Sequence, residues 1–212
     1  YARRVAGTAL QRCWQERLPP TGRDWRQVSF LVADAEMSSL DVNEGELLSV
    51  GWVCIEGGSI ALDSARHYLI KAENSVGQSA TIHHLRDCEL DEADTRAMVL
   101  QHFLDAAAGK ILVFHNAALD MAYLNGVSRR EFNAPILMPA VDTLLQEKAL
   151  MTRRDKPIQS GDLRLQACRD RYNLPPYPAH NALLDALATA ELLIALATHR
   201  AAGQHFPLKQ LL

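Results

Sequence analysis

Three runs of apolar residues, each bounded by turn-forming residues, stand out in the amino-terminal part of the chain. They cover residues 28–33, 47–55 and 59–70. The pair Gly57-Gly58 separates the second run from the third and is typical of a tight hairpin turn. The pattern therefore predicts three consecutive antiparallel strands.

Further along the chain, stretches with helical spacing of apolar positions alternate with short apolar strands. The predicted elements are a polar helix at about 89–107, the strand KILVF, a helix opening at Asn116, a strand that runs into a helix in AVDTLLQEKAL, a helix in GDLRLQACRDRY and a long final helix in HNALLDALATAELLIALATH. This order predicts an α/β fold, with a mixed sheet flanked by helices. Functional sites are expected at the carboxyl ends of its parallel strands.

The composition narrows the class of protein. The chain has 212 residues, of which 48% are hydrophobic, and this suits one compact domain. A net charge of -3 argues against the wide basic surface of a protein that coats duplex nucleic acid. Any polyanionic partner would therefore be bound locally. The 4 cysteines are scattered, which disfavours a zinc site or a disulfide framework.

The expected location is the cytoplasm. Free thiols indicate a reducing compartment. No apolar run approaches the roughly 20 residues of a membrane span, and the amino end lacks the apolar segment of a signal peptide. Residues 2–18 instead have apolar positions in rough helical spacing and are followed by the helix-breaking residues LPPTG, a pattern that predicts a peripheral helix or arm.

Acidic residues stand where an apolar environment is predicted. Asp34 and Glu36 end the first strand and, two residues apart, point to the same face of it. Asp120 falls in the first turns of a largely apolar helix, and Asp185 lies on the apolar final helix with no basic residue within a helical turn. Burying an unpaired charge is costly, so such acids need a cation, a metal or protonation. A pair of divalent cations would satisfy all four acids.

Each of these residues, taken alone, has a simpler interpretation. Asp34 and Glu36 could begin a solvated loop, and Asp120 could be favoured by the dipole at a helix amino terminus. His180, which follows PPYPA, could be an exposed residue at a helix start. Context favours a shared site, because each acid follows the strand, or lies on the helix, that such chemistry requires.

Three spaced motifs resemble those of a known family. The motifs are Asp34-x-Glu36, His115-Asn116-x-x-x-Asp120 and His180-x-Ala182-x-x-Asp185. In order and spacing they resemble the motifs of the DEDDh 3′-to-5′ exonucleases, the group that includes the proofreading epsilon subunit of bacterial DNA polymerase III and RNase T. The resemblance extends from residue 30 to residue 199, and the segments TIHHLRD and VDTLL also resemble family segments.

The resemblance implies a ribonuclease-H-like fold and a catalytic metal site. Two Mg²⁺ or Mn²⁺ ions would be held by the four acids, and His180 would act as general base. Residues 1–27 lie outside the resemblance and are expected to form an N-terminal helical arm or linker before an exonuclease domain at 28–212. The implied metal ligands, which with His180 make up the implied catalytic set, are Asp34, Glu36, Asp120 and Asp185.

The resemblance also implies a pocket for the terminal nucleotide. Asn116 is additionally expected to cap the helix that carries Asp120. The family's common Thr-Glu-Thr-Thr-Gly is replaced here by AEMSS, so contacts with the terminal sugar are expected to differ. Leu119 stands where Phe is frequent, which would replace stacking on the last base by apolar contact. The implied substrate-binding residues are Ala35, Met37, Ser38, Ile82, His83, Asn116 and Leu119.

The predicted function is a metal-dependent 3′-to-5′ exonuclease that releases nucleoside 5′-monophosphates from single-stranded DNA or short RNA. The alternative is a noncatalytic module that binds nucleic acid or a protein on the same fold, although a pure binder has little need for an uncompensated acid cluster. Residues 1–27 leave open attachment to a larger polypeptide or contact with a partner protein. A polar loop offers candidate contacts to upstream phosphates, or is simply solvated: Arg153, Arg154, Lys156 and Arg164.

Overall fold

The computed structural model describes residues 3–71, 93–178 and 180–212, which contain a five-stranded sheet. In spatial order the strands are β3 (Ser59–Leu69), β2 (Leu47–Glu56), β1 (Phe30–Met37), β4 (Ile111–Phe114) and β5 (Ala140–Asp142). β1 pairs antiparallel with β2, and β2 pairs antiparallel with β3, whereas β4 runs parallel to both β1 and β5. The predicted mixed sheet is therefore confirmed. The predicted hairpin turns at Gly57 and Gly58, whose φ angles of 59° and 77° favour glycine.

Helices cover both faces of this sheet. In the described residues they are α1 (Ala9–Gln15), α2 (Arg96–Ala107), α3 (Ala117–Phe132), α4 (Thr143–Arg153), α5 (Leu165–Asp170) and α6 (Ala182–Ala201). α1, α2 and α3 bury their apolar residues on one face, and α6 packs on the other face against β1 and β2. The first residues of the helix predicted at 89–107 lie outside the described residues.

Alternation along β1 decides which side chains meet which helices. Leu31 is buried in the cluster beneath α2 and α3, whereas Val32 is buried in the cluster beneath α6. Because side chains two residues apart share a face, Asp34 and Glu36 follow Val32 toward α6. The acids of the first strand and the final helix therefore lie on the same side of the sheet.

The final helix, α6, is long and apolar enough to cross a membrane by length and composition alone, with a mean hydropathy of 1.5. No segment long and apolar enough to span a membrane was predicted from the sequence. Half of its most apolar window is buried inside the domain, where Leu193 and Leu196 pack in the core beneath β1 and β2. The burial of this helix against the sheet accounts for its apolar composition.

Residues before the first strand belong to the packed structure. Thr8 begins α1 by accepting a hydrogen bond from the Gln11 N–H, and the helix is shorter than the apolar pattern at 2–18 predicts. Val5 and Leu10 are buried against α2, and Trp25 is buried with the core beneath α6. The segment is thus not a free arm, whereas its proposed link to a larger polypeptide stays a prediction.

The cysteines that the structure describes, Cys13, Cys54 and Cys168, are free thiols, as the sequence predicted, and they are also buried. Burial raises the pKa of Cys13 and of Cys168 to about 11 in each case. A thiol must lose its proton to bind a metal or attack an electrophile. These thiols therefore act as small apolar side chains.

Candidate active site

Acidic side chains from β1 and α6 meet at one edge of the sheet. One carboxylate oxygen from each of Asp34, Glu36 and Asp185 can be chosen so that all lie within 4.8 Å of one another. Gly51 of β2 pairs directly with Asp34. A Cβ atom at Gly51 would lie 2.3 Å from the backbone nitrogen of Leu183, far inside van der Waals contact. The glycine therefore allows the amino end of α6 to reach the sheet and bring Asp185 to Asp34.

The first turn of α6 fixes the position of Asp185. Asn181 caps the helix, because its side-chain oxygen accepts the Leu184 N–H at 3.1 Å. Asp185 Oδ2 accepts the backbone N–H of His180 at 3.0 Å. This pair of reciprocal bonds resembles a capping box. It ties the loop before the helix directly to a carboxylate of the acid cluster.

The fourth predicted ligand, Asp120, reaches the site from the opposite face. β4 is paired with β1 only as far as Val32, and β1 continues beyond it to Met37. Past that point Asp120, near the start of α3, supplies the acceptor for the Ala35 N–H at 3.1 Å. Asp120 therefore adjoins the three clustered acids but lies outside the group within 4.8 Å.

The electrostatics of the cluster favour either protons or a cation. Glu36 and Asp120 are buried, at 7% and 4% exposure. Removal from water, followed by the charges of Asp120, Asp185 and Glu36, raises the pKa of Asp34 well above its usual range. Removal from water, and then Asp185, raises the pKa of Glu36 to about 7. Desolvation raises the pKa of Asp120 to about 8, despite the N–H of Ala35.

The pKa of Asp185 is raised as well. Desolvation raises its pKa, although the N–H groups of His180 and Asn181 and the charges of His180 and Arg169 oppose the change. Arg169 is thus a nearby cation, which lies outside the single helical turn around Asp185 and comes from another helix. A cluster of hard oxygen donors with raised pKa values fits a divalent cation, because bound metal replaces the protons that the acids would otherwise hold.

His180 lies at the entrance of the site. Its side chain is exposed, and its φ of 66° places the backbone in the left-handed region. Together with Asp34 and Asp185 it lines a cavity of about 670 Å³. Of the predicted phosphate contacts, Arg164 lines the same cavity. The other three, Arg153, Arg154 and Lys156, are exposed and do not line it.

The predicted nucleotide-binding residues are distributed around the end of β1. Ala35 and Met37 are buried, and the N–H of Ala35 is already donated to Asp120. Ser38 exchanges two hydrogen bonds with the backbone of Glu46, at 2.9 and 2.8 Å, so its N–H is not available to a nucleotide. Leu119 packs partly buried against the core. Ile82 and His83 lie outside the described residues.

The predicted capping role of Asn116 is wrong in its chemistry. Asn116 occupies the residue before α3, but its φ is 79° and its side chain makes no capping hydrogen bond. Asp142 does this work instead, by accepting the N–H groups of Asn116 at 3.1 Å and Ala117 at 3.0 Å. It also caps its own helix, α4, through the N–H of Leu144 at 3.0 Å. Asp142 ends the strand in VDTLL, so its role as the cap of α4 could be recognised from the sequence. Its contact with the start of α3 could not be predicted from residue spacing.

Two further residues support the site without having been predicted. The hydroxyl of Tyr123 lies 2.6 Å from the carbonyl oxygen of Ser39 and 3.1 Å from that of Asp41, which ties the β1–β2 loop to α3. His115 is held by the carbonyl of Leu163 and the hydroxyl of Thr143, both at 2.8 Å. Desolvation lowers the pKa of His115, which favours the neutral ring near neutral pH.

Comparisons with known proteins show which family the chain belongs to. Residues 31–193 match the family model RNase_T, whose description is exonuclease. The chain is 29% identical over 167 residues to the PolC-type DNA polymerase III of Thermotoga maritima, covering 78% of this chain but 12% of that protein. It is 26% identical over 185 residues to the DNA polymerase III subunit epsilon of Treponema pallidum, covering 84% of this chain and 83% of that protein.

Solved structures confirm the expected ribonuclease-H-like fold. E. coli exonuclease I in complex with a dA16 oligonucleotide superposes with a TM-score of 0.70 at 14% identity. The superposition covers 84% of this chain and 42% of exonuclease I. At this identity the likeness concerns the fold, and the chemistry has to be argued from the residues of the site.

Proposed function

Because the chain belongs to the exonuclease family, we propose that it removes nucleoside 5′-monophosphates from the 3′ ends of single-stranded DNA or short RNA. One observation carries the proposal. Carboxylate oxygens of Asp34, Glu36 and Asp185 come within 4.8 Å of one another, and Asp34 and Asp185 line a cavity that His180 also lines. A noncatalytic binding module has no use for such a cluster, since uncompensated acids repel a phosphate chain.

We propose that the cofactor is a pair of Mg²⁺ or Mn²⁺ ions and that the four acids hold both ions. Bound there, such ions stabilise the charge that develops on the attacking and departing oxygens of a phosphodiester. The chain contributes oxygen donors fixed by regular elements. Asp34 and Glu36 are held by β1, and Asp185 by the first turn of α6. Asp120 is oriented by its hydrogen bond with the Ala35 N–H.

His180 is proposed to accept the proton of the attacking water. A neutral imidazole is a base suited to neutral pH, and the exposed side chain can receive a proton and release it to solvent. The N–H of His180 donates to Asp185, so the base and a metal ligand are joined by one hydrogen bond. Water activation and metal binding are thereby placed next to each other.

Substrate binding is proposed to be local and single-stranded. The net charge of -3 offers no general attraction for a polyanion, whereas Arg164 lines the catalytic cavity. The superposable E. coli exonuclease I binds a dA16 oligonucleotide, which supports a single strand as the substrate here. The cytoplasm is the proposed location, because free thiols suit a reducing compartment. Residues 1–27 remain the proposed connection to a larger polypeptide or a partner protein.

Digestion of 5′-end-labelled linear oligonucleotides, as DNA and as RNA, tests the proposal. We expect Mn²⁺-dependent products that shorten stepwise from the 3′ end and activity that a chelator abolishes. A circular single strand of the same sequence is the matched control, since it offers no 3′ end. Efficient cutting of the circle would replace the exonuclease by an endonuclease. Binding without any digestion of either strand would favour the noncatalytic module.

The role of His180 is tested by His180→Asn. Asparagine tolerates the left-handed backbone at this residue, so the loop is retained while the base is lost. We expect turnover to fall by about 10²- to 10⁴-fold. The Mn²⁺-induced rise in melting temperature should persist, because the acids are untouched. Near-normal turnover would remove His180 from the mechanism.

A further inference from the structure

Arg169, at the end of α5, is fully buried beside the catalytic cavity. Its Nη1 donates to the carbonyl oxygen of Ala188 at 2.5 Å, and its Nη2 donates to Glu191 Oε2 at 2.7 Å. Nη2 also donates to the carbonyl oxygen of Pro175 at 2.6 Å. One guanidinium group therefore joins α5, α6 and the loop that precedes α6.

Tyr177 completes the connection. The Arg169 guanidinium lies over the Tyr177 ring, 4.9 Å from its centre. The Tyr177 hydroxyl lies 2.9 Å from Glu191 Oε1, to which it donates. Glu191 thus holds the guanidinium with one oxygen and the phenol with the other. We call Arg169, Tyr177 and Glu191 the loop clamp.

The loop clamp lies close to the catalytic groups in sequence and in space. Tyr177 is three residues before His180, and Glu191 is six residues after Asp185 on α6. Tyr177, His180 and Arg169 all line the 670 Å³ cavity. The loop is thus fastened to α6 twice, through the Tyr177 side chain and through the His180 N–H.

Stability alone is a poor reason for this arrangement. A buried ion pair is often no more stabilising than apolar side chains of similar volume, and here Arg169 loses its hydration while the Glu191 side chain keeps 27% of its surface exposed. Here the Arg169 Nε has no hydrogen-bond partner among the described residues, which adds to that cost. The ion pair instead holds the loop that precedes α6 in one orientation.

We infer that the loop clamp is a positioning device for His180, holding the general base at the entrance of the catalytic cavity. This inference rests on the proposed function of His180. Tyr177 and Glu191 are positioning residues, which do not touch the reacting atoms. They raise the fraction of molecules in which the base is in place, and they act on turnover only through His180.

Tyr177→Phe tests the inference, because it removes only the hydroxyl. Turnover on a linear single strand should fall about threefold to tenfold as the competent loop conformation loses population. The KM and the Mn²⁺-induced thermal shift should not change. Glu191→Gln, which keeps the shape of the side chain, should give the same pattern. Tyr172→Phe is the matched control, since it removes a Tyr–Glu bond to Glu147 on α4 and should leave turnover unchanged.

A double-mutant cycle separates positioning from general structural support. In a His180→Asn background, Tyr177→Phe should cause no further loss of turnover, because the group that the clamp positions is gone. An equal loss in both backgrounds, or no loss in the wild-type background, would overturn the inference.

A second measurement does not depend on activity. NMR order parameters of the Tyr177 and His180 amides should fall from roughly 0.85 toward 0.6 in Tyr177→Phe and stay high in Tyr172→Phe. Unchanged order parameters in Tyr177→Phe would reject the clamp. A wild-type protein that digests no substrate would reject the proposed function, while the order parameters would still decide whether the clamp orders the loop.

Discussion

Gly51 lies directly opposite Asp34 in the β1–β2 ladder, and the space left by its missing side chain is filled by the backbone of α6 at Leu183. This contact determines how closely Asp185 approaches Asp34. The acid cluster therefore requires glycine at residue 51, although Gly51 itself takes no part in the chemistry.

Gly51→Ala should therefore weaken metal binding as well as stability. The added Cβ would lie 2.3 Å from the Leu183 nitrogen, so α6 must move away from the sheet. We expect a loss of about 1–3 kcal/mol in the free energy of unfolding and a reduced Mn²⁺-induced shift in melting temperature. Thermal denaturation with and without Mn²⁺ measures both.

Gly126→Ala is the control for this substitution. A Cβ at Gly126, inside α3, meets nothing within 4 Å. Alanine there should stabilise the protein by roughly 0.5–1 kcal/mol and leave the metal response intact. A full Mn²⁺ response in Gly51→Ala would show that the α6 contact does not position Asp185.

Asp185→Asn should abolish hydrolysis without unfolding the metal-free protein. The substitution removes one charge from a group of mutually repelling carboxylates, so the melting temperature in chelator should hold or rise. In Mn²⁺ the stabilisation of the wild type should be largely lost. The comparison is with Asp170→Asn, an exposed change that should alter neither quantity. A variant that melts well below the wild type in chelator would contradict the assignment of Asp185 as a ligand.

The stability of the metal-free protein should fall as the pH rises. Asp and Glu side chains of an unfolded chain lose their protons at about pH 4, whereas the folded-state pKa is about 7 for Glu36 and about 8 for Asp120. Between these values the folded protein holds protons that the unfolded chain has released. Raising the pH therefore lowers the free energy of unfolding.

Chemical denaturation in chelator from about pH 5 to about pH 8 measures this dependence. Asp120→Asn should flatten it, because the amide has no proton to lose in this range and can still accept the Ala35 N–H. A stability that rises over the same range in the wild type would contradict the raised pKa values. With Mn²⁺ present, the dependence should weaken, because the cation replaces the retained protons.

Asp142→Ala should damage two helices at once. It removes acceptors from the N–H groups of Asn116 and Ala117 at the start of α3 and of Leu144 in α4. At about 0.5–2 kcal/mol for each cap, a total loss of about 1–4 kcal/mol in the free energy of unfolding is expected. Because α3 carries Asp120, turnover should fall with it.

Asn116→Gly separates the two candidates for the cap of α3. Glycine accepts a φ of 79° readily, and the Asn116 side chain makes no capping bond, so this variant should keep its stability. A loss of stability as large as that of Asp142→Ala would restore the capping role of Asn116. A loss of turnover alone would instead support its predicted contact with the substrate.

Sequence patterns predicted those features of the site that depend on a single strand or helix. Alternation in β1 predicted that Asp34 and Glu36 share a face, and the apolar circumference of the final helix predicted the burial around Asp185. Partners that come from distant elements were not predictable in this way. Asp142 reaches across to Asn116, and Arg169 approaches α6 from α5, because the tertiary fold brings them together.

The stagger between β1 and β4 gives the site a tolerance to sequence drift. β1 extends beyond the end of its pairing with β4, so the N–H of Ala35 is available to donate to Asp120. This hydrogen bond depends on strand length rather than on any loop side chain. The residues that follow the catalytic strand can therefore diverge while the floor of the site keeps its shape. Ser38 and Ser39, the last two residues of AEMSS and the first beyond β1, are an instance of such divergence. Specificity for the terminal nucleotide can evolve there independently of catalysis.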